Sequence, residues 1–169
     1  MKKTLSFVLF LTLLLPQGCL HYSRGSGARL SFSRIYVPPA KNDSFAPQVQ
    51  ALLTKQIRAK LANQQNLEIA PSPENAVILE VSIVKFEQFV AATNGNDTAL
   101  AKSFNEKMTV ACTLRSGETG KIYFKDHRLS DSVECDAFGD YHEARYQIMP
   151  QLTEKLADKI CEIVCNPWK

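Results

Sequence analysis

The sequence predicts an α+β fold, a two-layer sandwich in which two helices cover one face of a four-stranded sheet, in the order β-α-β-β-β-α. The 169 residues are 45% hydrophobic and 22% charged, which is typical of one soluble globular domain. Two segments carry apolar residues at helical spacing, and four others alternate apolar and polar residues as strands do. Two helices with one apolar stripe each can cover one face of such a sheet.

The first strand and the first helix are expected in the N-terminal half. Residues 31–37 are rich in β-branched and aromatic residues and end at Pro38-Pro39, which predicts a strand. Residues 45–62 are predicted to form a helix, with Pro47 in its first turn, where proline is tolerated. The apolar positions of this helix are Phe45, Val49, Leu52, Leu53, Ile57 and Leu61.

The strongest strand pattern spans residues 76–90. Val77, Leu79, Val81 and Ile83 lie on one face of this strand, and Ile78, Glu80, Ser82, Val84 and Phe86 lie on the other. Asn94-Gly95-Asn96-Asp97 is a turn cluster. We therefore expect a long polar connection over residues 91–106.

The remaining elements are a hairpin and a long helix. Alternation predicts a third strand at residues 108–114, and Ser116–Gly120 is expected to close a hairpin into a fourth strand at 121–129. An apolar stripe predicts a helix over residues 141–165. Pro150 lies inside this helix and is expected to kink it or split it near Gln147.

The N-terminus is typical of an exported lipoprotein. Two lysines precede an apolar run too short to span a membrane, and Gly18 directly precedes Cys19. We expect residues 1–18 to be a lipoprotein signal peptide, residues 19–29 a lipid-anchored flexible tether and residues 30–169 a single domain. Cys19 is the expected lipidation site. The alternative is an ordinary secreted protein in which this cysteine happens to lie near the cleavage site.

Net charge and motifs exclude several functions. Removal of the signal peptide would leave a net charge of about +1, so a general attraction to nucleic acid is not expected. The sequence contains no nucleotide-binding loop, zinc-protease helix or nucleophile elbow. We therefore predict a protein that is not an enzyme and needs no cofactor.

Four further cysteines, Cys112, Cys135, Cys161 and Cys165, are candidates for disulfides in an oxidising compartment. Three pairings are open, and the sequence does not choose among them. Free buried thiols are an alternative. Metal binding by Cys161 and Cys165 together with a histidine is disfavoured, because a second closely spaced pair is missing.

Several segments together resemble a known family. They are the lipobox-like start, Ile35–Pro39 followed by Asn42–Ser44, Val77–Val81, Asp97–Lys107, Thr113–Arg115, Thr119–Lys121, Tyr146 and the closing helix. In this order they resemble the LptE-like lipoproteins of outer-membrane lipopolysaccharide assembly. The resemblance covers roughly residues 30–165. The imperfect lipobox and the extra cysteines depart from the better-known members.

The resemblance implies a lipid-anchored (palmitate-bearing) protein on the periplasmic side of the outer membrane. Its implied partners are an LptD-like, lipopolysaccharide-translocating β-barrel, which such proteins plug and help to assemble, and lipopolysaccharide itself. The implied glycolipid contacts are Lys102, Lys107, Lys121 and Lys125. Alternatively, these are solubilising residues of strand edges. The alternative functions are a regulatory or secretion-system lipoprotein, such as an activator of a cell-wall synthase, and a periplasmic enzyme.

Overall fold

A computed structural model of the protein describes residues 30–46, 49–95, 97–136 and 141–166. The expected signal peptide, Cys19 and the tether lie outside the described residues. The strands are β1 (Arg34–Tyr36), β2 (Lys41–Asn42), β3 (Glu68–Ile69), β4 (Val77–Asn94), β5 (Asp97–Ser116) and β6 (Ile122–Asp136), and the helices are α1 (Gln50–Ala62) and α2 (Tyr141–Cys165).

The strands form one mixed sheet in the order β3-β1-β4-β5-β6, with β2 also paired to β4. Strands β1, β2 and β3 enter through parallel pairings, whereas β4, β5 and β6 are antiparallel. The α+β class and the element order are confirmed, but the sheet has six strands rather than four. Strands β2 and β3 have two residues each, which is too short to produce an alternating pattern in the sequence.

Both helices pack on one face of this sheet, and the core lies between the two layers. Its largest fully buried side chains include Leu53, Ile57 and Leu61 of α1, Leu79 and Ile83 of β4, and Leu152, Leu156 and Ile160 of α2. Helix α1 begins at Gln50, later than predicted, and Phe45 is fully exposed. The side chains of Asn42 and Ser44 form a turn at this point that stops Phe45 from joining the helix.

The predicted connection over residues 91–106 is wrong. Strands β4 and β5 continue as a hairpin as far as the pair Asn94↔Asp97. The turn between β4 and β5 lies where the sequence predicts it, but the polar residues on both sides of this turn belong to the paired strands. Half-exposed side chains such as Phe89 and Val90 show that this part of the hairpin does not depend on burial, so an apolar alternation is not required there.

A β-bulge in β4 reverses which side chains face the core. The register shifts between Ile83 and Lys85, so Phe86 pairs with the buried Met108. Phe86 therefore packs against the core, whereas the alternation from Val77 placed it on the opposite face. That prediction is wrong because one extra residue in a strand inverts the period of two.

Helix α2 runs unbroken from Tyr141 to Cys165 with Pro150 inside it, so the predicted split is wrong. The Pro150 carbonyl accepts hydrogen bonds from Gln56 Nε2 at 3.1 Å and from Thr153 Oγ1 at 3.1 Å. The hydrogen bond from Gln56 holds α2 against α1 at this point. Among the described residues, no helix combines the length and the apolarity needed to cross a membrane.

Candidate functional site

The face of the sheet opposite the helices is polar and its charges are largely paired. Arg115 Nη2 lies 2.8 Å from Glu80 Oε1 across β4 and β5. Lys85 Nζ lies 2.7 Å from Glu87 Oε1, and Glu87 is the ladder partner of Lys107. No described element covers this surface, which we call the outer face. Because its charges of both signs neutralise one another, it suits a polar wall better than a polyanion or an apolar groove.

The structure separates the four candidate lysines into two groups. Lys121 and Lys125 are exposed at the beginning of β6, where Lys121 Nζ lies 5.4 Å from the centre of the Tyr123 ring. Lys107 is half-buried on the outer face, and Lys102 is exposed on the far part of β5. Arg115, beside the β5–β6 turn, is eight residues from Lys107, which is a separation of about 26 Å along the strand. The four lysines therefore do not form one site.

The described chain begins at the same end of the sheet as Lys121 and Lys125. Phe32 packs edge-to-face on Tyr123 with ring centroids 5.6 Å apart. Strand β1 follows and pairs with the first residues of β4, whereas the β4–β5 turn lies at the opposite end. The described chain therefore enters the fold at the end of the sheet where Lys121 and Lys125 lie.

Two lysines of α2 cover the free edge of β6. Lys159 Nζ lies 2.8 Å from Asp131 Oδ2 and donates to the Ser130 carbonyl at 2.7 Å. Lys155 Nζ donates to the Ser132 carbonyl at 3.2 Å. Burial opposes ionisation of Asp131, but the hydrogen bonds from Lys159 and the Ser132 N–H hold its pKa below the ordinary value. These contacts occupy strand carbonyls that an added strand would need.

Sequence reasoning missed a buried acidic side chain where α2 meets the β4–β5 hairpin. The Glu106 side chain is fully buried, and its Oε1 lies 3.8 Å from Arg145 Nε. The Arg145 guanidinium also lies 4.6 Å from the centre of the Phe86 ring. This cluster fixes the first turns of α2 against the hairpin. Glu106 falls two residues before the buried Met108, so extending the strand's alternation would have placed it inside.

The four cysteines are free thiols. Cys112 lies in the core, where burial raises its pKa to about 12. Cys135 pairs with Phe104, eight ladder positions from Cys112, or about 26 Å, which is far beyond disulfide reach. Cys161 and Cys165 are brought together, with their Sγ atoms 3.9 Å apart. The hydrogen bond between them raises the pKa of Cys161 and lowers that of Cys165.

Within the part of the chain that the structure describes, no three His, Cys, Asp or Glu side chains converge in a group that could hold a metal ion. His127 is exposed and packs edge-to-face against Phe124, with ring centroids 5.8 Å apart.

Comparisons with known proteins identify a family. The model of a family described as "LptE: Lipopolysaccharide-assembly" matches residues 32–161. No curated protein matches the chain.

Solved structures of bacterial proteins, lipoproteins among them, share the fold. A minor lipoprotein from Acinetobacter baumannii has a TM-score of 0.56 and 12% identity, covering 80% of this chain and 94% of that one. Lipoprotein B from Nitrosomonas europaea has a TM-score of 0.58 and 11% identity, covering 84% and 88%. A neuraminyllactose-binding hemagglutinin homologue from Helicobacter pylori has a TM-score of 0.54 and 13% identity, covering 83% and 87%. At these identities the likeness establishes the fold alone.

Proposed function

Because the chain belongs to the LptE lipopolysaccharide-assembly family, we propose that it associates with and plugs the lipopolysaccharide-translocating β-barrel of the outer membrane. In this role it is a lipid-anchored, non-catalytic subunit on the periplasmic side. It assists the assembly of an LptD-like barrel and the delivery of lipopolysaccharide to the cell surface.

The observation that carries this proposal beyond family membership is the outer face. The interior of a transmembrane β-barrel is polar and lined by side chains of both signs. A surface that presents paired charges such as Glu80 and Arg115, with Thr109 and Thr113 on the same face of β5, can contact such a wall without burying an unpaired charge.

The proposed anchor fits the same arrangement. Acylation of Cys19 would leave a tether of about ten residues ahead of Leu30, which reaches at most roughly 35 Å when fully extended. The domain would therefore stay close to the membrane. A regulator of a cell-wall synthase needs a longer tether to reach through the cell-wall layer, so the barrel is the better partner.

Lys121 and Lys125 are the best placed of the four lysines for a proposed contact with lipopolysaccharide. Both are exposed at the end of the sheet where the described chain begins. An ammonium group can meet a phosphate of the glycolipid as a point charge. Lys102 and Lys107 lie farther along the hairpin and would need a second contact region.

Affinity purification in mild detergent tests the proposal. The wild-type chain should recover one large β-barrel in fixed proportion. Ala111→Glu introduces a larger, charged side chain on the outer face, whereas Ala51→Glu makes the same change on the exposed side of α1. We expect the first variant to lose the barrel and the second to keep it.

Two results would contradict the proposal in different ways. Failure of the wild-type chain to recover any barrel, or its cross-linking to a cell-wall synthase instead, rejects the proposed partner. Equal recovery of the barrel by both variants leaves the partner in place but rejects the outer face as the contact surface. Thermal unfolding of the two variants controls for misfolding.

A further inference from the structure

The proposed function makes no use of a pair of thiols where the last turns of the two helices meet. Cys161 and Cys165 are one turn apart on α2, and their Sγ atoms lie 3.9 Å from each other. Cys161 Sγ also lies 3.9 Å from the Lys60 carbonyl in the last turn of α1. Cys161 is buried and Cys165 is half-buried, so the pair is open to solvent on one side.

The two helices run parallel, so both of their carboxyl ends lie at this pair. Gln56 donates to the Pro150 carbonyl, and Lys60 Nζ lies 3.1 Å from Glu154 and 2.7 Å from Asp158. The C-terminal end of a helix carries partial negative charge. Helix α2 has no basic residue in its last turn, and Lys60 of α1 is directed to the two carboxylates instead. Two ionised thiols at this junction would therefore require a cation between them.

The helix geometry disfavours a disulfide between these cysteines. Residues four apart on a helix have Cβ atoms about 5–6 Å from each other, whereas a disulfide needs roughly 3.5–4.5 Å. Oxidation would thus distort the last turn of α2. Two thiolates bonded to one ion at about 2.3 Å each, in the linear arrangement preferred by two-coordinate ions such as Cu(I), have sulfur atoms roughly 4.6 Å apart. The observed separation of 3.9 Å is close enough to this value that rotation of the two side chains supplies the difference. The ion fits without unwinding the helix.

We propose that Cys161 and Cys165 chelate one soft metal ion, Cu(I), at the joined carboxyl ends of α1 and α2. Thiolate ligands select soft ions such as Cu(I) and Zn²⁺. A structural zinc site closes four ligands, whereas the described residues contain no group of three His, Cys, Asp or Glu placed so that it could hold a metal ion. Binding displaces the thiol protons to solvent and transfers no electrons. The sequence alone disfavours metal binding by these cysteines because a second closely spaced pair is missing, but an ion held by two thiolates needs no second pair.

The test is an anaerobic titration of the reduced mature chain with Cu(I), buffered by the chromophoric competitor bathocuproine disulfonate. We expect one Cu(I) per chain and two sulfur neighbours by X-ray absorption. Cys165→Ser and Cys161→Ser should each weaken binding by more than about 100-fold, since even supporting groups of a metal site contribute 10–100-fold. Cys135→Ser, which removes a buried thiol on β6, is the matched control and should bind as the wild type does.

Four results would overturn the proposal. They are the absence of stoichiometric binding, an equal loss in Cys135→Ser, displacement of Cu(I) by equimolar Zn²⁺, and isolation of the native chain with an intact Cys161–Cys165 disulfide by mass. Cys165 is the last residue of α2, so its variant is expected to fold even if the buried Cys161 variant does not. Recovery of the barrel by Cys165→Ser should be unchanged, which separates this test from that of the proposed function.

Discussion

Substitution of Gly117 by alanine should destabilise the protein more than any other glycine-to-alanine change at a described glycine. The Gly117 N–H donates to the Ala76 carbonyl at 2.9 Å, which joins the β5–β6 turn to the segment entering β4. A Cβ atom at Gly117 would lie 2.4 Å from the Pro73 carbonyl oxygen and 2.7 Å from that of Ala76. Both obstacles are backbone atoms, so no side-chain rotation relieves the clash.

The structure gives the size of the effect. Real Cβ contacts essentially never fall below 3.0 Å, so the turn must move by about 0.6 Å relative to Pro73. Overpacking of this kind typically costs about 1–3 kcal/mol. Displacement also weakens the Gly117–Ala76 hydrogen bond, which contributes about 1 kcal/mol. We therefore expect the free energy of unfolding to fall by about 2–4 kcal/mol.

Two other glycines provide controls in a urea unfolding series. A Cβ at Gly95 meets no atom within 4 Å, so Gly95→Ala should change the unfolding free energy by less than about 1 kcal/mol. Gly120 also has open space but a φ of +69°, so Gly120→Ala should cost about 1–2 kcal/mol through backbone conformation alone. If Gly117→Ala costs no more than Gly120→Ala, the argument from close backbone approach is refuted.

Three further predictions concern single side chains. Asp131→Asn should lower the free energy of unfolding by about 1 kcal/mol at pH 7. Because the pKa of Asp131 is depressed in the folded state, the difference in unfolding free energy between wild type and variant should shrink as the pH falls below about 4. A constant difference between pH 7 and pH 3 would contradict this prediction. Cys112, whose burial raises its pKa to about 12, should resist iodoacetamide at pH 8 until urea unfolds the chain, as followed by peptide mass spectrometry; labelling of the folded protein would count against its burial. Cys19→Ala should release the protein from membranes during fractionation, and unchanged membrane association would argue against lipidation.

The elements that the sequence predicted well are those with a long, regular pattern. The alternation from Val77 to Ile83 and the apolar stripe of α2 each repeat often enough to identify both the element and its buried face. The alternation failed at the bulge after Ile83, because the extra residue leaves no composition signal. It failed again beyond Val90, where the hairpin is held by backbone pairing and its side chains need not be apolar.

The candidate surfaces were less accessible to sequence reasoning, because each depends on elements that are distant in the chain. The Glu106–Arg145 contact joins a strand to a helix, and the meeting of Lys60 with the end of α2 depends on the parallel packing of the two helices. The candidate lysines illustrate the converse. Their residue type is informative, but only the register shows that Lys121 and Lys107 lie far apart.

The surfaces that remain open restrict how a partner can bind. Helices cover one face of the sheet, and Lys155 and Lys159 occupy carbonyls along the β6 edge, so a strand cannot readily be added there. The opposite edge ends in β3, which has only two residues. Residues 85–94 of β4 have no described strand on the side away from β5, so strand addition is open only along this part of the hairpin, and elsewhere a partner of the sheet must contact side chains of the outer face. Binding of this kind is what a closed barrel requires, because all of its own strands are already paired and its wall can offer only side chains.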